Sequence, residues 1–437
     1  MHLLHLDFKG AAPSARRVAD YLAYFRDCGF EGVVFEFDCR LPWRAWPQAG
    51  RPLYTMDEAA AIVSRCRQLG MEAIPLVQTL GHLEWVLTDP AYAALREAGS
   101  LAEACPANPE VGERLRAWID EALALFDHPN RIHLGADEAY VMGECPQCRT
   151  RAEASPLGRT GLYLDHVGSL CRHAAARGAR PMIWGDMLKP VANSDAYAVF
   201  PKGTVVFNWS YYGLPPSETA PWKSAAMAAG LEVWGASAVM CSFSGQSLSL
   251  LPDYLGRLKN VLSWHQAEGN VLHTTWGRPS NTWPLYCPWP ALVSLFAAAG
   301  GGEGAWAGHP WREILPLLGD GEHFLVPRRL SAAQAAVEAV PARHAVERES
   351  KRYILLALRY QELLRRHLEL RAQERAMGHT AAVVGRDGDA LKRHILKPLE
   401  ENGRLFDQWC GEMRAFFADN ELADADEFLA ERRAALL

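Results

Sequence analysis

The segment Arg131-Ile132-His133-Leu134-Gly135-Ala136-Asp137-Glu138 places a short apolar run directly before two adjacent carboxylates. An apolar run of this length that stops at small residues predicts a buried strand, here over 131–136. Two acids beside a buried strand end are costly to bury unless they are paired or used. We therefore interpret Asp137 and Glu138 as candidate catalytic carboxylates. The alternative is that both are exposed loop acids that cap the next helix.

Seven further apolar runs predict strands, and helical patterns separate most of them. A capping box at Thr55 and Glu58 and an N-cap at Asn108, before Pro109, indicate where two of the helices begin. Alternating strands and helices predict an α/β fold, a (β/α)8 TIM barrel, whose chemistry lies at the C-terminal strand ends. The predicted strands cover residues 2–8, 32–37, 72–77, 131–136, 180–184, 204–208, 231–235 and 271–276.

The last third of the chain has a different pattern. From about Ser331 onward, long charged helical segments follow one another without a strand, with a break at 386–388. We expect a catalytic barrel over 1–305 and a helical region over 306–437. These helices pack either on the barrel or on a second subunit, which would make a homodimer.

Composition excludes several classes of protein. The 437 residues carry a net charge of −6, which gives no basic surface for nucleic acid or anionic membrane. No apolar run reaches the roughly 18 residues that a membrane span needs, and the N-terminus does not read as a signal peptide. We expect a cytoplasmic protein whose ten cysteines are mostly free thiols. Cys145 and Cys148 form one C-x-x-C pair, a weak metal or redox signal.

Polar and aromatic residues also follow the other predicted strands. Aromatic faces with polar groups between them suit a carbohydrate pocket, so we predict that these side chains bind the substrate. Each tryptophan taken alone is more often a core residue, and a lone histidine is more often structural. The predicted substrate-binding residues are Asp7, Lys9, Glu36, His82, Trp184, Asp186, Trp209, Tyr211, Trp276 and Arg278.

These motifs resemble glycoside hydrolase family 20, the β-N-acetylhexosaminidases. The family signature His-x-Gly-Gly-Asp-Glu is matched by 133–138, with Ala136 at the second glycine, and Leu80-Gly81-His82 is similar to the family's Pro-Gly-His. The segments 5–10 and 36–42, together with Gly143-Glu144-Cys145, resemble the hexosaminidase D branch. The resemblance covers roughly the first 300 residues.

The resemblance implies a mechanism that needs no cofactor and no metal. The substrate's own 2-acetamido oxygen would attack the anomeric carbon and form an oxazolinium intermediate. Glu138 would protonate the leaving oxygen and then activate water, while Asp137 would orient the acetamido group. Neighbouring residues on a strand face opposite ways, so both acids can serve one pocket only if the strand has already ended.

Three departures from the family affect sugar recognition. Lys9 stands nearest the position where the family carries an arginine for the 3- and 4-hydroxyls. The family's Tyr-x-Asp on strand seven has no clear counterpart, and its Trp-x-Glu on strand eight is replaced by Trp276-Gly277-Arg278. The resemblance implies a terminal β-linked GalNAc or GlcNAc as substrate, and the preference between them stays open.

Two other interpretations remain open from the residues alone. One is a metal-dependent barrel hydrolase that uses His82, His133, Asp137 and the Cys145/Cys148 pair, since zinc needs three or four convergent ligands. The other is a sugar-binding barrel without turnover, against which the adjacent acid pair argues.

Overall fold

The computed structural model describes residues 1–211, 220–240, 260–264, 269–276, 314, 317–318, 327–342, 344–384 and 388–434. The chain divides into two compact units. The first comprises Met1–Lys9, Val18–Val239 and Lys259–Trp276, and the second comprises Gly10–Arg17, Met240–Leu258 and Gly277–Leu437. The boundary expected near residue 305 stays a prediction, because residues 277–313 lie outside the described part of the chain.

The first unit contains a barrel of parallel strands, which confirms the predicted fold. The strand order is β3-β2-β1-β8-β7-β6-β5-β4, and a parallel bridge between Leu76 and His133 joins the two ends of that order. Within the described residues, the strands are β1 (His2–Asp7), β2 (Gly32–Glu36), β3 (Glu72–Pro75), β4 (Arg131–His133), β5 (Arg180–Trp184), β6 (Val205–Trp209), β7 (Glu232–Met240) and β8 (Val271–Thr275).

Helices follow the strands, as a barrel of β/α units requires. In chain order they are α1 (Ala15–Asp27), α2 (Met56–Gln68), α3 (Glu84–Leu87), α4 (Pro109–Leu125), α5 (Pro146–Ala154), α6 (Gly158–Ala176) and α7 (Pro221–Ala228). The predicted capping box begins α2, with Thr55 and Glu58 exchanging their hydrogen bonds, and Asn108 caps α4 ahead of Pro109.

The barrel strands are buried on both faces, as expected for parallel strands covered by helices. Every residue of β2 and β8 is buried, and β1 is buried from Leu3 onward. Register then brings the strand ends together, since Asp7 of β1 lies opposite Glu36 of β2. Polar side chains at this end of the barrel therefore meet in a largely dehydrated region.

In the described residues, the second unit is built from helices, as predicted for the C-terminal region. These are α8 (Pro327–Ala339), α9 (Ala345–Val384), α10 (Gly388–Asp419) and α11 (Ala425–Ala434). The buried Trp409 of α10 packs against Tyr360 of α9, and its indole N–H donates to the Leu356 carbonyl at 2.8 Å. None of the described helices combines the length and apolar character needed to span a membrane.

Candidate active site

Asp137 and Glu138 converge on one imidazole. Their carboxylate oxygens lie 3.2 and 3.3 Å from Nε2 of His82, respectively. One imidazole nitrogen of His82 and one carboxylate oxygen of each acid all lie within 4.8 Å of one another. The strand before them is shorter than predicted, because β4 ends at His133 and not at residue 136.

The backbone after β4 explains how two neighbouring acids share one site. Gly135, Ala136 and Glu138 all have positive φ, at 59°, 71° and 50°. Left-handed residues break the alternation of a strand, so consecutive side chains no longer point to opposite faces. The condition that the sequence imposed, a backbone turn at the acid pair, is therefore met.

Two glycines permit the close approach of the segments after β3 and β4. A Cβ on Gly81 would lie 2.4 Å from the backbone carbonyl oxygen of Asp137, and a Cβ on Gly135 would lie 1.9 Å from Oε1 of Gln78. A contact of 2.4 Å with backbone cannot be relieved by rotating a side chain. Gly81 is thus the residue that lets His82 reach the acid pair.

Contacts with three carboxylates hold His82 at its site in a strained backbone conformation. Its backbone is left-handed (φ 57°), and its Nδ1 faces Oε1 of Glu84 at 3.8 Å. Burial disfavours the charged imidazole, but the Asp137 carboxylate and hydrogen bonds to Asp137, Glu138 and Glu84 raise the pKa of His82 well above its ordinary value. The imidazolium is therefore the favoured form at neutral pH.

Asp186 supports the acid pair from the end of β5. Its Oδ2 accepts the backbone N–H of Glu138 at 3.0 Å, and its Oδ1 accepts the indole N–H of Trp209 at 3.2 Å. Burial first, and then the charge of Asp137, raise the pKa of Asp186 to about 6. Asp186 was predicted as a substrate ligand, and the structure places it against the backbone of Glu138.

Tyr140 is a site residue that the sequence did not single out. Its side chain is exposed, and partial burial together with the charge of the hydrogen-bonded Glu138 carboxylate raises its pKa to about 12. A hydroxyl two residues after the acid pair is a weak signal in sequence alone. The hydrogen bond between Tyr140 and Glu138 becomes evident only when the left-handed turn is known.

A buried charge cluster occupies the ends of β1 and β2. The Lys9 ammonium lies 3.0 Å from Asp7, 2.6 Å from Glu36 and 3.3 Å from Asp38. An ammonium has three donors, so these three carboxylates saturate it. Glu36 also contacts Nε2 of His5 at 2.8 Å and accepts from Nε2 of Gln78 at 2.9 Å.

The pKa values in this cluster reflect burial and close opposite charges. Burial opposes the charge on both Lys9 and Glu36, but the neighbouring carboxylates, Asp7 first and then Glu36, raise the pKa of Lys9 well above its usual value. The charge of Lys9 and the contact with His5 hold the pKa of Glu36 well below its usual value. Burial raises the pKa of Asp7 to about 6 and raises that of Asp38 well above its usual range, against the attraction of Lys9. Asp38 Oδ1 has no hydrogen-bond partner within the described residues.

The predicted aromatic residues differ in exposure. Trp184 is fully buried, with its ring centroid 4.4 Å from that of His133 and 5.6 Å from that of Trp276. Trp209 and Tyr211 are half-buried and stack at 5.0 Å, and Tyr211 lies 6.3 Å from Trp276. The sugar contacts assigned to these residues stay predictions, and Arg278 lies outside the described residues.

Buried polar atoms without a hydrogen-bond partner occur in many parts of the described chain, and five of them belong to this candidate site. A buried polar group without a hydrogen bond is a position where a ligand can supply the missing partner. The five atoms are Asp137 Oδ1, Trp184 Nε1, Trp276 Nε1, His133 Nε2 and Gln78 Oε1. An amide and several hydroxyls of a bound sugar would supply partners of both kinds.

The residues proposed as metal ligands in the metal-dependent hydrolase interpretation lie in two separate groups. His82 groups with Asp137 and Glu138, whereas Cys145 and Cys148 group with Glu97 and Cys105. His133 accepts the Gly135 N–H at 2.9 Å through Nδ1, and burial lowers its pKa to about 3. The residues of that set therefore do not form one metal centre.

Sequence relatives identify the family. Bovine hexosaminidase D is 30% identical over 306 residues, which cover 68% of this chain and 87% of the relative. This chain belongs to the hexosaminidase D branch of glycoside hydrolase family 20. Human hexosaminidase D is 30% identical over 316 residues, covering 68% of this chain, and the chain spans 64% of that relative's length. No protein-family model matches the chain.

Solved structures agree on the barrel. The β-N-acetylhexosaminidase of Bacteroides fragilis superimposes with a TM-score of 0.52 at 17% identity, covering 68% of this chain and 64% of that one. A family 20 module of a pneumococcal exo-β-D-N-acetylglucosaminidase superimposes with a TM-score of 0.51 at 12% identity, covering 82% of this chain and 97% of that one. At such identities the likeness concerns the fold alone.

The backbone conformation explains the second glycine of the family 20 signature. Its second glycine corresponds to Ala136, which has a φ of 71°. Glycine adopts this conformation without the roughly 1–2 kcal/mol that an L side chain costs there. This chain keeps the left-handed turn despite the alanine.

Proposed function

We propose that this protein is an exo-acting, retaining β-N-acetylhexosaminidase that releases terminal β-linked GalNAc or GlcNAc. The observation that carries the proposal is the convergence of Asp137 and Glu138 on Nε2 of His82 at a barrel strand end. The relatives named hexosaminidase D support the same substrate class.

Glu138 is the group we assign as acid and base. Its carboxyl proton passes to the leaving glycosidic oxygen as the bond to the anomeric carbon breaks, and it later takes a proton from the attacking water. Tyr140 and His82 flank this carboxylate. Asp186 holds its backbone N–H, so the acid is positioned from two sides.

Asp137 is the group we assign to the acetamido nitrogen. One of its oxygens is taken by His82, and the other is buried without a partner in the described residues. That second oxygen would accept the amide N–H of the sugar while the acetamido oxygen bonds to the anomeric carbon. The positive charge that develops on the resulting oxazolinium ring lies next to this carboxylate, which stabilises it.

Retention of configuration follows from the proposed substrate assistance. The acetamido oxygen displaces the leaving group from one face of the anomeric carbon, and water then displaces the acetamido oxygen from the other, so that two inversions restore the β-configuration. An internal nucleophile held in place can supply roughly 7–11 kcal/mol of barrier reduction, so no enzyme nucleophile is required.

The stereochemistry can be followed directly. We expect p-nitrophenyl β-GalNAc and β-GlcNAc to be hydrolysed with the β-anomer of the free sugar appearing first, as proton NMR of the early reaction would show. Relative rates on the two substrates give the sugar preference. First appearance of the α-anomer would mean inversion, and the absence of turnover on both would refute the hydrolase assignment.

A further inference from the structure

Three cysteines and one glutamate meet away from the acid pair. Sγ of Cys105 lies 3.6 Å from Sγ of Cys145 and 3.5 Å from Sγ of Cys148. A carboxylate oxygen of Glu97 completes a group whose ligand atoms all lie within 4.8 Å of one another. Glu97 and Cys105, from an earlier loop, thus lie beside the C-x-x-C pair of the sequence.

The sulfur spacing matches a tetrahedral metal centre. Zinc–sulfur bonds of about 2.3 Å at tetrahedral angles place the sulfurs roughly 3.8 Å apart. The observed separations of 3.5 and 3.6 Å are close to that value. Three thiolates and one carboxylate form a donor set that suits zinc better than the harder cations.

Glu97 is positioned as the fourth ligand. Its Oε1 accepts the backbone N–H groups of Gly143 and Cys145 at 3.1 and 2.8 Å, while its Oε2 is buried and has no hydrogen-bond partner within the described residues. The side chain is fully buried. A buried carboxylate oxygen with no hydrogen bond calls for a cation, and the three sulfurs surround the place where one would bind.

The start of α5 brings two of the sulfurs together. In Cys145-Pro146-Gln147-Cys148, Cys145 is the N-cap residue and its Sγ accepts the backbone N–H of Cys148 at 3.3 Å. A disulfide would use only two of the three sulfurs and leave Oε2 of Glu97 unpaired.

We propose that Glu97, Cys105, Cys145 and Cys148 form a structural Zn²⁺ site. Four protein ligands leave no open position, so the ion would stabilise the fold and take no part in the reaction. It would fasten the segment after β3, which also carries His82, to the segment after β4, which carries Asp137 and Glu138. The site thereby fixes the two loops that bring the acids to the imidazole.

Zinc content tests this proposal independently of activity. Purified full-length protein should contain about one zinc per chain by elemental analysis. After reduction and chelation, the apo protein should take one zinc back from a chromophoric chelator, whereas the double variant Cys105→Ser/Cys148→Ser should take up none. Cobalt in place of zinc should give thiolate charge-transfer bands that this variant lacks.

Matched variants show whether zinc binding belongs to these four residues. Cys28→Ala, at a half-buried cysteine outside the group, should keep its zinc. His82→Asn should also keep it, which separates this site from the His82, Asp137 and Glu138 group. If the double variant fails to fold by circular dichroism, Glu97→Gln retains all three sulfurs and should bind zinc at least about 10-fold more weakly.

Several results would overturn the zinc site. These are reduced wild-type protein that takes up no zinc, uptake by the cysteine variants equal to that of wild type, loss of zinc in His82→Asn alone, and a disulfide within the group in mass spectra of the unreduced protein. None of these results bears on whether the protein hydrolyses hexosaminides, so the two proposals fail separately.

Discussion

The two neighbouring acids differ in exposure. The side chain of Glu138 is 29% exposed, whereas that of Asp137 is 7% exposed. A group that exchanges protons with a leaving group and with water needs access to solvent. A group that holds an amide through a hydrogen bond works best when dehydrated, because electrostatic interactions weaken in water. This difference in exposure fits the proposed roles of Glu138 and Asp137, which the family resemblance also implied and which stay predictions.

We expect Glu138→Gln to lower kcat by about 100-fold or more on glycosides with poor leaving groups, as loss of a general acid should. The loss should be smaller on p-nitrophenyl glycosides, because nitrophenolate leaves without protonation. Steady-state kinetics on both substrates measures the difference. Glu113→Gln, at an exposed glutamate of α4, is the matched control and should be unaffected. Full activity of Glu138→Gln on a disaccharide would contradict the assignment.

We expect His82→Asn to destabilise the protein in a pH-dependent way. A histidine whose pKa is raised on folding stabilises the folded state fully below its unfolded pKa of about 6.5, and this contribution is lost as pH rises through the folded pKa. The gap in unfolding free energy between wild type and variant should therefore be largest below about pH 6.5 and narrow above it.

The control for this experiment is His128→Asn. His128 has a similar left-handed backbone (φ 52°), but its side chain is exposed. Asparagine tolerates that conformation at both positions, so backbone strain is matched. A gap for His82→Asn that stays constant with pH would argue against an ion pair with the acids.

At the residue scale, the sequence predicted site residues that are neighbours in the chain. It missed residues that reach the site only because of how the backbone turns. Asp137 and Glu138 stand out because two acids follow an apolar run. Tyr140 and Glu97 were not predicted, because their contacts depend on the left-handed turn after β4 and on loops that are distant in the chain. Cys105 lies 40 residues before Cys145, and no local pattern connects them.

At the scale of elements, the loops after β3 and β4 are fitted to each other through backbone. We expect Gly81→Ala to lower kcat/KM by about 10-fold or more, because its Cβ would meet the Asp137 carbonyl oxygen at 2.4 Å and displace the acid pair. Overpacking of this kind costs about 1–3 kcal/mol, so thermal denaturation should show a lower Tm as well.

Gly112→Ala is the matched control for this loop. Gly112 lies in α4, and a Cβ there meets only the Arg116 side chain, at 3.3 Å. Alanine in a helix is favoured over glycine by about 0.5–1 kcal/mol, so neither activity nor stability should fall. Wild-type kinetics for Gly81→Ala would show that the close approach is not needed.

The strands were well predicted, and only the ends of β3, β4 and β7 differ from the prediction by more than one residue. All eight strands lie where apolar runs indicated, because burial on both faces gives a strong signal. β4 ends at His133 although the apolar run continues to Ala136, since an apolar pattern does not show where backbone leaves the strand. That error fell at the candidate active site, where the strand must end for both acids to face the substrate.

At the scale of the whole molecule, the alternation of strand and helix patterns predicted the barrel. The absence of strand patterns in the last third predicted the helical region. The charged pattern of the last third correctly predicted the helices α9 and α10. Of the break expected at 386–388, residues 386 and 387 lie outside the described part of the chain. A cytoplasmic location, a homodimer and the preference for GalNAc or GlcNAc stay predictions. They depend on surfaces and partners that a single chain does not encode in local patterns.

The most direct test of substrate assistance compares p-nitrophenyl β-GalNAc with p-nitrophenyl β-galactoside, which differ only in the 2-acetamido group. If that group is the nucleophile, kcat/KM should be higher on the GalNAc substrate by several orders of magnitude, because effective molarities reach about 10⁵–10⁸ M. Comparable rates on the two substrates would mean that an enzyme carboxylate attacks instead, and the role given to Asp137 would be wrong.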